Sequence, residues 1–255
     1  MFGRWLAGLI VTSALLLGSA VTEGEGAVWY ATGGSGSTSF ATALAEAPGG
    51  GVYAVIDEQD HLGVSLARLD GAGRNVWQRS LGTHNYAGDA ALASTEDGGV
   101  AVLVTLSRRR VRGELMLVRF GPGGDLHWRR AVMTPAASKA TDRPIGIAVA
   151  PSGEITIAGT LAPRANLAET STVVARFDSE GRRTWRTVRA QKRGFAKGLA
   201  VADHGTIYVA EQKNLVAAYT TGGEFMWERR LRGGSIEDLE SATDVAGLVA
   251  LLGAR

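Results

Sequence analysis

Apolar and polar residues alternate in short runs along most of this chain. One clear run is Val64-Ser65-Leu66-Ala67-Arg68-Leu69, with one apolar face and one mixed face. A period of two belongs to a strand buried on one side. Asp70 ends the run, Gly73 marks a turn, and a second run carries Trp77. Glycine supplies the positive φ that a tight reversal demands, so Leu66 to Leu81 predicts a β-hairpin. The chain writes this hairpin three more times, over 117–132 with Trp128, 174–189 with Trp185 and 216–231 with Trp227. In every copy a glycine (Gly73, Gly124, Gly181, Gly223) stands four residues before the Trp. Trp77, Trp128 and Trp185 are therefore expected to be equivalent and mostly buried, each ring packing over its hairpin or a neighbouring sheet.

Each hairpin is preceded by two further strand patterns, so the unit is four short strands. The first unit reads Ala41–Ala47, Gly51–Asp57, Val64–Asp70 and Asn75–Leu81. Successive tryptophans are 51, 57 and 42 residues apart, the period of a propeller blade. The longest step absorbs loop insertions at 133–143 and 161–170. The first strand of each unit is small and apolar, as in Ala90-Ala91-Leu92-Ala93 and Ile147-Ala148-Val149-Ala150, which suits crowding near a central axis. Ala27–Ala31, with Trp29, is a Trp strand without a unit of its own, while Asp238–Thr243 and Gly247–Leu252 are two strands without a Trp hairpin. The expectation is an all-β propeller of about five blades, closed by pairing the N- and C-terminal strands. Solenoid-like stacking and a piece of a larger ring are the alternatives.

The repeats resemble the Trp-containing blades of bacterial secreted propellers related to the quinoprotein, pyrroloquinoline-quinone-type repeat, over about residues 26–252. The quinoprotein pattern places Asp, then Thr-Gly four residues on, then Trp four beyond the Gly. Here Asp70 and Asp178 lie three before their glycines without a preceding Thr, and Gly121 and Thr220 replace the Asp in the other units. Quinoprotein dehydrogenases also use eight blades and neighbouring cysteines, and this chain has no cysteine. The resemblance implies the fold and argues against the enzyme and its cofactor, so none is expected. Asp178 to Trp185 also approaches the sialidase Asp-box, but each interval is one residue too long.

Residues 1–20 depart from the alternation. Arg4, an uncharged apolar stretch from Trp5 to Leu17, and the exit Gly18-Ser19-Ala20 read as a secretory signal peptide, leaving 21–255 as one propeller domain. A retained anchor is the alternative, since Trp5 to Thr22 lies at the lower edge of spanning length. A secreted or periplasmic monomer is expected, with no membrane span once the leader is removed. The absence of cysteine excludes disulfides, a lipidated Cys and thiolate metal sites. With 27 basic residues against 25 acidic, charge is nearly balanced, and no nucleic-acid recognition motif appears.

Candidate chemistry is sparse. No nucleophile elbow, P-loop, dinucleotide glycine pattern or His-Glu-x-x-His occurs. His61, His84, His127 and His204 lack ligand spacing, and Asp57-Glu58-Gln59-Asp60-His61 lacks the regular spacing of a calcium loop. Arg108-Arg109-Arg110 with Arg112 forms a candidate polyanion patch on a strand connection. The connections entering the first strands bring Tyr86, Arg143, Lys192, Arg193, Phe195 and Lys197 to one mouth of the expected channel, a candidate ligand site. Asp89, Asp142 and Asp238 in the same connections are expected to be structural, accepting backbone N–H bonds. These features predict a non-catalytic binding or scaffolding module for an undefined protein or saccharide. The alternative is a carbohydrate-active hydrolase with paired carboxylates at the channel.

Overall fold

The computed structural model describes residues 39–58, 63–83, 90–108, 111–133, 142–162, 169–192, 195–232, 235–242 and 247–253. Four consecutive four-stranded antiparallel meanders, here called blades 1 to 4, account for most of them. Blade 1 comprises β1 (Ser39–Glu46), β2 (Val52–Glu58), β3 (Gly63–Leu69) and β4 (Asn75–Thr83). Blade 2 comprises β5 (Ala90–Ser94), β6 (Val100–Arg108), β7 (Val111–Phe120) and β8 (Leu126–Ala131). In blade 3 these are β9 (Arg143–Val149), β10 (Ile155–Leu161), β11 (Glu169–Phe177) and β12 (Arg183–Lys192). In blade 4 they are β13 (Ala196–Val201), β14 (Ile207–Glu211), β15 (Leu215–Tyr219) and β16 (Phe225–Arg230). A two-stranded ribbon, β17 (Ser235–Ala242) and β18 (Gly247–Gly253), follows. A single bridge, Thr83 with Ser107, joins blades 1 and 2. The first strands β1, β5, β9, β13 and β17 neighbour one another in chain order. Ala27–Ala31, the expected closing strand, lies outside the described residues.

One turn chemistry closes the eight described hairpin turns at the far end of the first strands. In the β3–β4 hairpin Asp70 N donates to Arg74 O at 3.0 Å and Gly73 N donates to Asp70 O at 2.9 Å. The same two bonds recur in the β1–β2, β5–β6, β7–β8, β9–β10, β11–β12, β13–β14 and β15–β16 turns. The glycine of each sits at φ between +76° and +90°, the left-handed region that a side chain enters only with strain. This is the three-residue hairpin with a left-handed residue forming a bulge. Asp70 and Asp178 are part of that device. Each carboxylate accepts two backbone N–H bonds of its turn and pairs with the arginine four residues on, at 2.8 Å for Arg74 and 2.7 Å for Arg182.

The tryptophans fasten blade to blade. The Trp77 indole N–H donates to Pro122 O at 2.9 Å, Trp128 to Ser179 O at 2.9 Å and Trp185 to Thr221 O at 3.0 Å. Every acceptor lies in the last hairpin of the following blade. The rings lie on the turn glycines Gly124, Gly181 and Gly223, where an added Cβ would come within 2.7 Å or less of the indole. Arg79 and Arg130, two residues after their tryptophans, stack on those rings and donate to the carbonyls of Gly124 and Gly181. Trp77 and Trp128 are buried, at 8% and 9% exposure. Trp185 docks in the same way but is half-buried, a departure from the expected equivalence. Trp227 is also half-buried and tilts against Tyr208 in its own blade.

A second fastening sits at the opposite end of blades 3 and 4. Glu211 is 1% exposed and accepts from Thr172 Oγ1 at 3.1 Å and Arg189 Nη2 at 3.4 Å, both on blade 3. Arg189 also pairs with Glu228 and stacks on Phe225. Apolar faces of adjacent blades fill the remaining interfaces, with Tyr53, Leu66, Trp77 and Val102 between blades 1 and 2 and Leu103, Leu117, Trp128 and Ile157 between blades 2 and 3.

Candidate functional site

Register places one residue per strand in a row across each blade. In blade 3 the row runs Ala148, Thr156, Arg176, Trp185. In blade 1 it runs Ala45, Tyr53, Arg68, Trp77. The tryptophan dockings show that this face meets the following blade. Tyr53 is fully buried, and its hydroxyl donates to Gly98 O of blade 2 at 2.5 Å, so the ring fills the interface. Blade 3 has Thr156 in that place, and a groove of about 830 Å³ opens between blades 3 and 4. Its walls are the last residues of β9 and β13, with Ile147, Val149, Leu199 and Val201 among them. Arg176 and Thr156 reach it from the blade 3 row. Glu154, Asp203, His204 and Thr221 supply further polar groups. Concave, partly apolar surroundings with a few convergent polar groups are where ligands bind.

Arg176 is 8% exposed. Its Nε donates to Thr156 Oγ1 at 3.2 Å and its guanidinium lies 5.9 Å from the Trp185 ring centroid. Among the described residues no carboxylate pairs with it. Sequence reasoning missed this site, although the signal was present: Arg68, Arg119 and Arg176 stand at one position of the repeat.

The expected ligand site lies at the other end of the same strands. Arg143 opens β9 and its guanidinium stacks 5.1 Å from the ring centroid of Phe195, just before β13, so the structure brings these two together. Lys197 is half-buried in β13. Lys192 ends β12 with its backbone paired to Glu169, while Tyr86 and Arg193 lie outside the described residues. Of the candidate polyanion patch, Arg108 ends β6 and Arg112 lies in β7, joined by the close pairing of Arg108 with Val111. Arg109 and Arg110 are outside the described residues. His127 pairs with Asp125 at 2.8 Å, and among the described residues no group of His, Asp and Glu has the makings of a metal site.

Asp142, expected to accept a backbone bond, takes one from the Ala162 N–H. It is 7% exposed with its Oδ1 unpartnered, and burial, with a smaller push from Glu114, raises its pKa to about 6. The unfolded carboxyl ionises near 3.8, so the folded state holds its proton longer. Stability from this group is full below pH 3.8 and falls as pH rises toward 6. Asp142→Asn should therefore be more stable than the parent at pH 7.5, by about 1–3 kcal/mol, and level with it at pH 3.5. Urea melts across that range read the difference; equal stability at both pH values would show that the carboxyl is not desolvated.

A family model described as outer membrane protein assembly factor BamB, of the PQQ type, matches residues 170–251. With the four meanders, this match supports a β-propeller fold carrying PQQ-like repeats. A solved structure described as the Dos1 propeller is similar over 78% of this chain, with 10% identity and a TM-score of 0.51. The match covers 47% of that chain, so this propeller spans about half its length. No curated protein sequence matches. Among the described residues of the propeller, no helix is long and apolar enough to cross a membrane.

Proposed function

We propose that this propeller is a non-catalytic binding module of the cell envelope or exterior that holds a partner in the groove between blades 3 and 4. One observation carries the proposal: Arg176, 8% exposed as a residue, lines the open groove with no carboxylate partner among the described residues. Keeping a cation from water without a counter-charge is costly, so a partner that supplies one is favoured there. The assembly-factor description of the matched family supports an envelope location, behind the leader read at residues 1–20. In the same proposal Ala27–Ala31 adds to the β17–β18 ribbon and completes a fifth blade, covering edges that would otherwise pair with other chains. In the same proposal the Arg143–Phe195 stack with Lys197 forms a secondary contact, to which the sequence adds Tyr86, Lys192 and Arg193 as candidates, and Arg108, Arg109, Arg110 and Arg112 are candidates for contact with a polyanion.

A photo-crosslinking residue placed at Ala148 or Leu199 should capture a partner from the envelope fraction, and one placed at Gln78 or Arg129 on the outer strands should not. Adducts from the outer strands alone would overturn the groove as the binding site.

A further inference from the structure

The row arginines of three blades show what Arg176 lacks. Arg68 of blade 1 donates to two backbone carbonyls, Pro122 at 3.1 Å and Pro48 at 3.3 Å. Arg119 of blade 2 pairs with Asp97 at 2.7 Å. Asp97 is the residue before the glycine in the β5–β6 turn, Thr95-Glu96-Asp97-Gly98. The matching turn of blade 3 is Ala150-Pro151-Ser152-Gly153, so Ser152 stands where blade 2 has its carboxylate. The Ser152 hydroxyl turns to Glu154 at 3.2 Å, away from any role as a counter-ion. Arg176 is more buried than either, lies against a ring as Arg68 does, and has no acid beside it.

We propose that Arg176 receives an acidic side chain from an extended segment of a partner protein, which supplies in trans the carboxylate that Asp97 gives Arg119 within the chain. This rests on the binding-module reading above. A guanidinium presents a planar fork that matches a carboxylate, and the pair is strong where water is excluded. Glu154 and Asp203 at the same groove oppose a phosphate or a polyanion, whereas a single carboxylate can be accommodated beside them. Leu199 and Val201, on the face of blade 4 turned to blade 3, offer apolar contacts to flanking side chains. β9 and β13 are terminal strands of their sheets, each with one edge unpaired among the described residues, so their backbone groups suit an extended chain.

The probes are acetyl-Val-Glu-Val-amide, its Gln counterpart, and acetyl-Val-Gln-Val with a free C-terminus, followed by the NMR signal of the Arg176 Nε–H in the full chain. The Glu peptide should bind at least about tenfold more tightly than the capped Gln peptide, as expected for a hydrogen-bonded charge pair. Ser152→Asp, which restores the internal acid, should weaken the Glu peptide at least about tenfold while melting no lower than the parent. Arg176→Gln should remove the preference for Glu. Equal binding of the capped Glu and Gln peptides, no binding of any of the three, or undiminished binding to Ser152→Asp would each overturn the proposal. Tighter binding of the free C-terminus than of the Glu peptide would assign the groove to chain ends instead and overturn it as stated. Groove crosslinks that persist in Ser152→Asp would sink this inference and leave the binding module standing; loss of all groove crosslinks in the parent would remove both.

Discussion

Trp128→Ala is expected to lower stability by about 3–5 kcal/mol. The ring is 9% exposed and lies on Gly181 of the next blade, so truncation opens a cavity at a blade interface. It also removes the indole N–H from Ser179 O, and it leaves Arg130 without the ring it stacks on. The partner change should act on the same contact. Gly181→Ala forces a side chain into φ +76° and places its Cβ 2.7 Å from Trp128 Cδ2. A cost of about 2–4 kcal/mol follows from backbone strain and overpacking together. Because both variants break one contact, the double variant should cost less than the sum of the two. Urea melts of the three variants decide it. A loss below about 1 kcal/mol for Trp128→Ala, less than any fully buried ring gives up, would mean that the tryptophan does not hold blades 2 and 3 together.

Arg189→Met should cost about 3 kcal/mol, through the charge it strands more than through the contact it removes. Glu211 is 1% exposed, and Thr172 would be its one remaining side-chain donor among the described residues. Adding Glu211→Leu should recover most of the loss, since an apolar pair of similar volume is often as stable as a buried ion pair. If Arg189→Met alone is neutral in urea melts, Glu211 is reached by water and the clamp at that end of blades 3 and 4 is not buried.

The repeat was legible because its turn chemistry is written in glycine. Four Gly-x-x-x-Trp hairpins located β3–β4, β7–β8, β11–β12 and β15–β16, and period-two runs located the other strands to within a few residues. The direction of tryptophan packing was not legible. Alternation says that a ring is buried, but its acceptor is a backbone carbonyl 36 to 51 residues further on, and carbonyls carry no sequence signature. The groove was missed for a related reason. Polar and aromatic residues in the connections favoured Arg143, Phe195 and Lys197, whereas Arg176 sits near the end of a strand in an apolar run, where an arginine reads as an outward-facing position. Only the register, which sets Arg176 beside Thr156 where Arg68 lies beside Tyr53, shows a space and an unmatched charge in one place.

Because Trp77, Trp128 and Trp185 are each covered by the blade that comes after, the chain cannot bury these rings as it makes them. Trp77 waits for Pro122, Trp128 for Ser179 and Trp185 for Thr221. At synthesis rates of about 5–20 residues per second, each indole stays uncovered for several seconds after its own meander is complete. A chain emerging from a ribosome or a translocon therefore always displays one bare aromatic ring near its growing end, a moving mark that a holdase or a protease can read until the next hairpin arrives.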